Sequence, residues 1–283
     1  MRLAIAWLAG ALLLVACETP PPSKTTAAPA ERIITLAPHL AELVFAAGAG
    51  ERLVGVSAFT DYPPAVRSLP IVGDAFRVDY EAVAALAPDL ILSWGSGNPA
   101  AMVERLRKLG YRVVSLEPRN LDGIARQLET IGELAGSSRI AARAAADYRQ
   151  GLEELRQRHA GSAPLPVFYQ VSAQPLLTVS RLHVIGQVLE LCGGRNLFAD
   201  LPDAVPAVAL EAVIESAPAV IFASAPLAGS QPELDFWRKW TVVPAVRDGR
   251  IYIVDADLLS RPGLRLLDGA RQLCGFMAQA RSD

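Results

Sequence analysis

Histidine is scarce, with only three in 283 residues. His39, His159 and His183 stand far apart and in no spacing that suits a zinc site. His159 lies in a charged stretch and reads as solvated. His39 and His183 each follow a strand-like run, so they can be imagined facing one cleft, but a third ligand and a general base are missing. An extracytoplasmic metal-dependent enzyme built on that pair therefore has little support. No His-Glu-x-x-His, no Gly-x-Ser-x-Gly and no Gly-Lys-Ser/Thr loop occurs, so the common metalloprotease, hydrolase and nucleotide-hydrolase readings have no residues to rest on. No catalytic set and no metal site is expected. An excess of one charge is also lacking. The formal net charge is -2 and the isoelectric point is near 6.0, which gives no electrostatic case for nucleic acid. Beyond the first segment, no run is apolar for the roughly 20 residues that a bilayer-spanning helix needs.

That first segment is itself informative. Met1 and Arg2 give a short positive start, and residues 3–15 are almost entirely apolar. The run is too short to span a bilayer and suits the hydrophobic region of a secretory signal. It ends Leu14-Val15-Ala16-Cys17, small residues before a cysteine, as in a bacterial lipoprotein signal. Residues 1–16 are expected to be removed and Cys17 to carry the lipid. Residues 17–31 are rich in Pro, Thr, Ser and Ala without apolar periodicity, the composition of a flexible tether. About 250 residues remain, enough for one large or two smaller cores. With Cys17 lipidated, Cys192 and Cys274 are left, either as a disulfide in an oxidising compartment or as two separately buried thiols.

Along the rest of the chain, strand-like and helical patterns alternate. Residues 32–36, 53–57, 90–94 and 112–116 are short and apolar or β-branched, with helical spacing at 40–47, 80–86 and 99–109 between them. The pattern resumes at 166–170 and closes with a helix over 264–280. This is α/β grammar, a mainly parallel sheet flanked by helices. It occurs twice. Tyr80-Glu81-Ala82-Val83 precedes Ala87-Pro88-Asp89-Leu90, and Leu210-Glu211-Ala212-Val213 precedes Ala217-Pro218-Ala219-Val220. Two similar lobes are expected, at 32–136 and 162–283. Between them, residues 137–161 are rich in Ala, Arg, Glu and Leu with Gly151 the one strong breaker. They predict one long helix of about 35 Å that braces the lobes and limits their closure.

Ligands of such proteins bind at the carboxyl ends of the strands. The loops leaving those ends carry His39, then Phe59 to Pro64, then Trp94 and the turn Gly95-Ser96-Gly97-Asn98, then residues 255–265. Aromatic rings with a few polar groups suit a large, flat, partly apolar ligand.

These residues resemble a known family. Ile33-Ile34-Thr35-Leu36-Ala37-Pro38, Glu42-Leu43, Phe45-Ala46-Ala47-Gly48, Val54-Gly55-Val56-Ser57 and Asp61-Tyr62-Pro63-Pro64 look like the start of the helical-backbone (class III) solute-binding proteins of ABC importers. Ala87-Pro88-Asp89-Leu90, Leu189-Glu190-Leu191-Cys192-Gly193-Gly194 and Arg271-Gln272-Leu273-Cys274 extend the resemblance over nearly the whole mature chain. The class takes cobalamin, haem or iron-siderophores. The Asp-Tyr-Pro-Pro turn and the two cysteines are similar to its cobalamin branch. The resemblance implies a periplasmic, lipid-anchored, non-enzymatic monomer that delivers a corrinoid, alternatively haem or a siderophore, to the transmembrane subunits of a permease. It implies a Cys192–Cys274 disulfide, ligand contacts from Phe59, Trp94, Asp257, Leu258, Leu259, Ser260 and Arg261, and permease docking by Glu81 and Glu211. Two pocket tryptophans of that branch are replaced here by Ala75, with Phe76 beside it, and by Val205. His39 is a candidate to supply part of what they provide. An envelope lipoprotein without a ligand is the remaining rival.

Overall fold

The computed structural model describes residues 28–225 and 232–282. The expected signal, Cys17 and the first part of the tether lie outside these residues. Packing begins within the last tether residues: Ala30 is buried and its N–H donates to the Leu134 carbonyl at 2.8 Å.

The first lobe runs Ile33–Thr35 (β1), Pro38–Ala46 (α1), Leu53–Gly55 (β2), Tyr80–Leu86 (α2), Leu90–Trp94 (β3), Ala100–Lys108 (α3) and Val113–Leu116 (β4). Its sheet has the order β2-β1-β3-β4, with every neighbouring pair parallel. The strands are apolar without alternation because helices cover both faces. Ile33, Leu90 and Leu92 face a core shared with α1, while Ile34 and Ile91 face Val83, Met102 and Leu106 of α2 and α3.

Leu121–Leu134 (α4) then packs along Ser138–His159 (α5). The second lobe follows: Leu165–Gln170 (β5), a small hairpin of Ser172–Ala173 (β6) and Leu176–Leu177 (β7), Val184–Leu191 (α6), Gly194–Asn196 (β8), Leu210–Glu215 (α7), Val220–Ala225 (β9), Pro232–Arg238 (α8), Pro244–Arg247 (α9), Ile251–Asp255 (β10), Ala256–Leu259 (α10) and Leu266–Ser282 (α11). Its main sheet has the order β10-β9-β5-β8, again all parallel. Numbered within each lobe, both sheets read second-first-third-fourth strand. The repeated motif in the sequence is thus one repeated topology.

The lobes share a single core through α5. Its apolar stripe, Ala141, Ala145, Leu152 and Leu155, joins residues of α1 and α4 to Leu189, Leu273 and Met277 of α6 and α11 in one continuous cluster. Gly151, which reads as a helix breaker, has another purpose. A Cβ placed on it would lie 2.4 Å from Leu267 Cδ2, so glycine is what lets α11 approach α5. Arg149 of α5 also grips α4, donating to Asp122 at 2.6 Å and to both oxygens of Glu129 at 2.5 and 3.0 Å.

Cys192, at the end of α6, is disulfide-bonded to Cys274 of α11, with their α-carbons 4.8 Å apart. Both are buried in the shared core. The bridge closes a loop spanning 82 positions. Replacing both cysteines by alanine is expected to cost about 2–4 kcal/mol of unfolding free energy in urea titration. Reduction of the native protein should reproduce that loss.

Candidate ligand-binding cleft

The carboxyl ends of the strands of both lobes carry the loops that meet between them. β3 ends at Trp94, whose half-buried ring stands edge-on to His39, with centroids 5.1 Å apart at 85°. His39 is the second residue of α1. Extended Ala37 and Pro38 at the first helical position start the helix where the chain leaves β1. Across the lobe junction, Gly263 packs against the His39 backbone and Cβ.

His39 is 1% exposed. Burial, with the nearby charge of Arg261, lowers its pKa from 6.5 to about 3, so the ring is neutral. It presents no surface to the cleft. The expected direct contact from His39 is corrected to a supporting one beneath Trp94. The Nε atoms of both rings are buried without a hydrogen-bond partner. His183 is half-buried: its Nδ1 accepts from the Ile185 N–H at 3.2 Å and caps α6, and burial lowers its pKa to about 4. Among the described residues, no three His, Cys, Asp or Glu side chains stand together as a metal site.

These two histidines predict an acid sensitivity. Unfolded, each takes up a proton below about 6.5, and folded, each stays neutral far lower. Their contribution is therefore fully present above that pH and is lost as pH falls toward the folded value. Each should subtract about 2 kcal/mol at pH 5 relative to pH 7. Urea midpoints at the two pH values check this, and His39→Gln should reduce the drop.

Phe59 is 81% exposed and holds a left-handed backbone, φ 64°. Two residues on, Asp61 accepts from Arg261 Nη1 at 2.6 Å, which places Phe59 beside the cross-lobe contact. Phe76 is 73% exposed at the tip of a turn in which Asp74 Oδ1 accepts from the N–H groups of Phe76 and Arg77, at 2.7 and 2.8 Å. On the opposite lobe, Leu182 and Val205 are exposed on two loops tied by the Ser180 N–H to Ala204 carbonyl bond at 3.1 Å.

The segment after β10 is built for crossing. Asp255 caps α10 by accepting from the Asp257 N–H at 2.9 Å. Leu258 is half-buried and Ser260 exposed. Leu259 is fully buried against Gly269, so its expected ligand contact is corrected: it anchors the loop from below. Arg261 pairs with Asp257 at 2.9 Å as well as with Asp61, and lies 3.9 Å from Glu42. Arg265 donates to both oxygens of Glu42, at 2.9 and 2.6 Å, with its guanidinium 4.5 Å from the centre of the Tyr62 ring. Partial burial pushes Asp61 up, but the hydrogen bond and charge of Arg261, with Arg265, leave it below the usual carboxylate range. Arg261 is thus committed to carboxylates of both lobes. Glu42, Asp61, Arg265 and Phe76 are the residues here to which sequence reasoning gives no individual role.

Glu81 and Glu211 are exposed in the first turns of α2 and α7, the helices that precede the third strand of each lobe. A left-handed alanine followed by proline comes after each helix: Ala87 at φ 44° directly caps α2, and Ala217 at φ 48° follows the Ser216 cap of α7. The two carboxylates occupy equivalent places in a duplicated unit.

Two lobes of one topology, a shared helical spine, and strand-end loops locked together across their junction define a solute-binding component of an importer, which captures a small ligand between lobes. The chain belongs to the periplasmic binding protein family, whose model matches residues 33–258. It is 37% identical over 254 residues to the vitamin B12-binding protein of Vibrio cholerae, covering 89% of this chain and 91% of that one. It is 36% identical over 285 residues to the vitamin B12-binding protein of Pectobacterium atrosepticum, covering 98% and 96%. The crystal structure of the periplasmic vitamin B12-binding protein BtuF of Vibrio cholerae matches with a TM-score of 0.81, covering 90% of this chain and 99% of that one. The protein is accordingly extracytoplasmic, belongs to an ABC transport system and is not an enzyme.

Proposed function

We propose that this protein captures cobalamin or a related corrinoid in the cleft and delivers it to the transmembrane subunits of its permease. The observation that carries the reading is the aromatic set on the first lobe. Phe59 and Phe76 are largely exposed and Trp94 is half-buried at a strand end, while the second lobe carries exposed Leu182 and Val205 and half-buried Leu258. Apolar surface on two sides suits a broad, flat ring system with a polar periphery. Asp257 and Ser260 supply polar groups for that periphery, and Arg261 reaches it only by giving up part of its carboxylate pairing. The corrinoid name carried by the relatives supports the same class.

Haem capture generally draws on an iron ligand such as histidine. His39 is buried, which disfavours it as that ligand here. A corrinoid brings axial groups of its own. Glu81 and Glu211 dock the loaded protein onto basic pockets of the permease, and a lipid on Cys17 holds it at the membrane.

The test is the absorption spectrum of protein purified from its native host. Corrinoid bands co-purifying with the chain are expected. A Soret band instead, from bound haem, would contradict the proposal.

A further inference from the structure

The aromatic wall needs its members held at fixed heights, because Trp94 and Phe76 come from different segments. One side chain bridges them. Asn98 is 5% exposed. Its Oδ1 accepts from the Trp94 N–H at 2.7 Å. Its Nδ2 donates to the Leu36 carbonyl at the end of β1, at 3.1 Å, and to the Ala75 carbonyl beside Phe76, at 2.9 Å. Its own N–H donates to the Trp94 carbonyl at 3.0 Å. Both amide hydrogens and the amide oxygen are thus used on three segments that line one side of the cleft.

Gly97 makes the arrangement possible. A Cβ on it would fall 1.9 Å from Trp94 Cε3, so only glycine lets the turn fold over the indole. Gly95-Ser96-Gly97-Asn98, which reads as a flexible turn, is a fitted bracket.

We infer that Asn98 is the positioning residue of the ligand-binding wall, setting Trp94 and the Phe76 turn in register with the end of β1. This rests on the proposed reading of the cleft as a corrinoid site. Aspartate does not replace it: it keeps an acceptor for Trp94 but puts an oxygen where Nδ2 donates to two carbonyls. Binding geometry assembled from separate loops is sensitive to small displacements.

Two readouts on Asn98→Ala and Asn98→Asp test the inference. The first is acrylamide quenching of Trp94 fluorescence in ligand-free protein, with Trp94→Phe subtracting the other tryptophans. Quenching is expected to rise in Asn98→Ala. The second is cobalamin affinity. It should fall about tenfold or more in both variants, and Asn98→Ala should cost less on a Trp94→Ala background, where only the Phe76 turn is left for Asn98 to set. Leu155→Ala, a remote core change, should leave both readouts near wild type and so controls for lost stability. Wild-type quenching and affinity in Asn98→Ala would overturn the inference. So would equal changes in Leu155→Ala. If wild-type protein binds no cobalamin, the corrinoid reading falls, while the quenching comparison still decides the role of Asn98. If Asn98→Ala does not fold, Asn98→Asp carries both measurements.

Discussion

Reversing the charge at both Glu81 and Glu211 is expected to abolish uptake while leaving ligand affinity at its wild-type value. Each carboxylate is exposed, and neither forms an ion pair among the described residues. Each sits in the first turn of a short helix, where the dipole also favours an acid, so reversal to lysine costs about 1 kcal/mol of local stability. Their value lies in their equivalence. A permease with twofold symmetry presents the same basic pocket twice, and a duplicated binding protein can answer with one acid per lobe. Turning one attraction into a repulsion costs several kcal/mol at such a contact. One reversal should therefore cut uptake at least tenfold and two should remove it. Cellular uptake of labelled corrinoid, with affinity measured in parallel, gives the answer. Full uptake in Glu81→Lys/Glu211→Lys would remove the docking assignment and leave the cleft untouched.

Arg265→Ala is expected to be the most destabilising single change at the lobe junction, at about 3–5 kcal/mol. Glu42 has a side chain only 4% exposed, and Arg265 satisfies both of its oxygens. Removing the guanidinium strands a buried carboxylate, with Arg261 3.9 Å away as its remaining cation. Arg261→Ala should cost much less, about 1 kcal/mol, because its nearer partners, Asp61 and Asp257, are both 49% exposed in their side chains. The two substitutions break pairs of similar appearance and differ by burial. If the penalty is the stranded charge, Arg265→Ala/Glu42→Gln should recover most of it. Denaturant unfolding of the four proteins checks this. Equal losses for the two arginines would show that burial of Glu42 is not what makes the pair matter.

Much of this architecture was legible because it depends on short-range pattern. Ile33-Ile34-Thr35 and Leu90-Ile91-Leu92 form strands buried on both faces, and such runs are apolar without alternation. The echo between Glu81–Pro88 and Glu211–Pro218 anticipated a duplicated topology because the same helix, left-handed alanine and proline turn feed the third strand in each lobe. What escaped depends on partners distant in the chain. Arg261 and Asp61 are 200 positions apart, and Arg265 and Glu42 are 223. Local composition carries no trace of either pair, so Arg261 read as a free donor. His39 looked available because it follows a strand, yet Trp94 and Gly263 close over it. Leu259 looked like a loop contact, and the glycine that admits it to the core stands ten residues further on. Asn98 was hidden by its own neighbours, since two glycines within three residues signal flexibility unless the indole they accommodate is known. Phe76 has a local signal in Asp74, two residues before it, whose carboxylate accepts from the Phe76 N–H.

Ala75 and Val205 carry no ring to stack, and Phe59 and Phe76 stand exposed on the same lobe as Trp94. Isothermal titration with cobalamin and with cobinamide tests corrinoid capture by that wall most directly. The account predicts saturable binding of one corrinoid per chain, weakened about tenfold or more in Trp94→Ala. No heat with either corrinoid, and no colour retained on the protein after gel filtration, would contradict it.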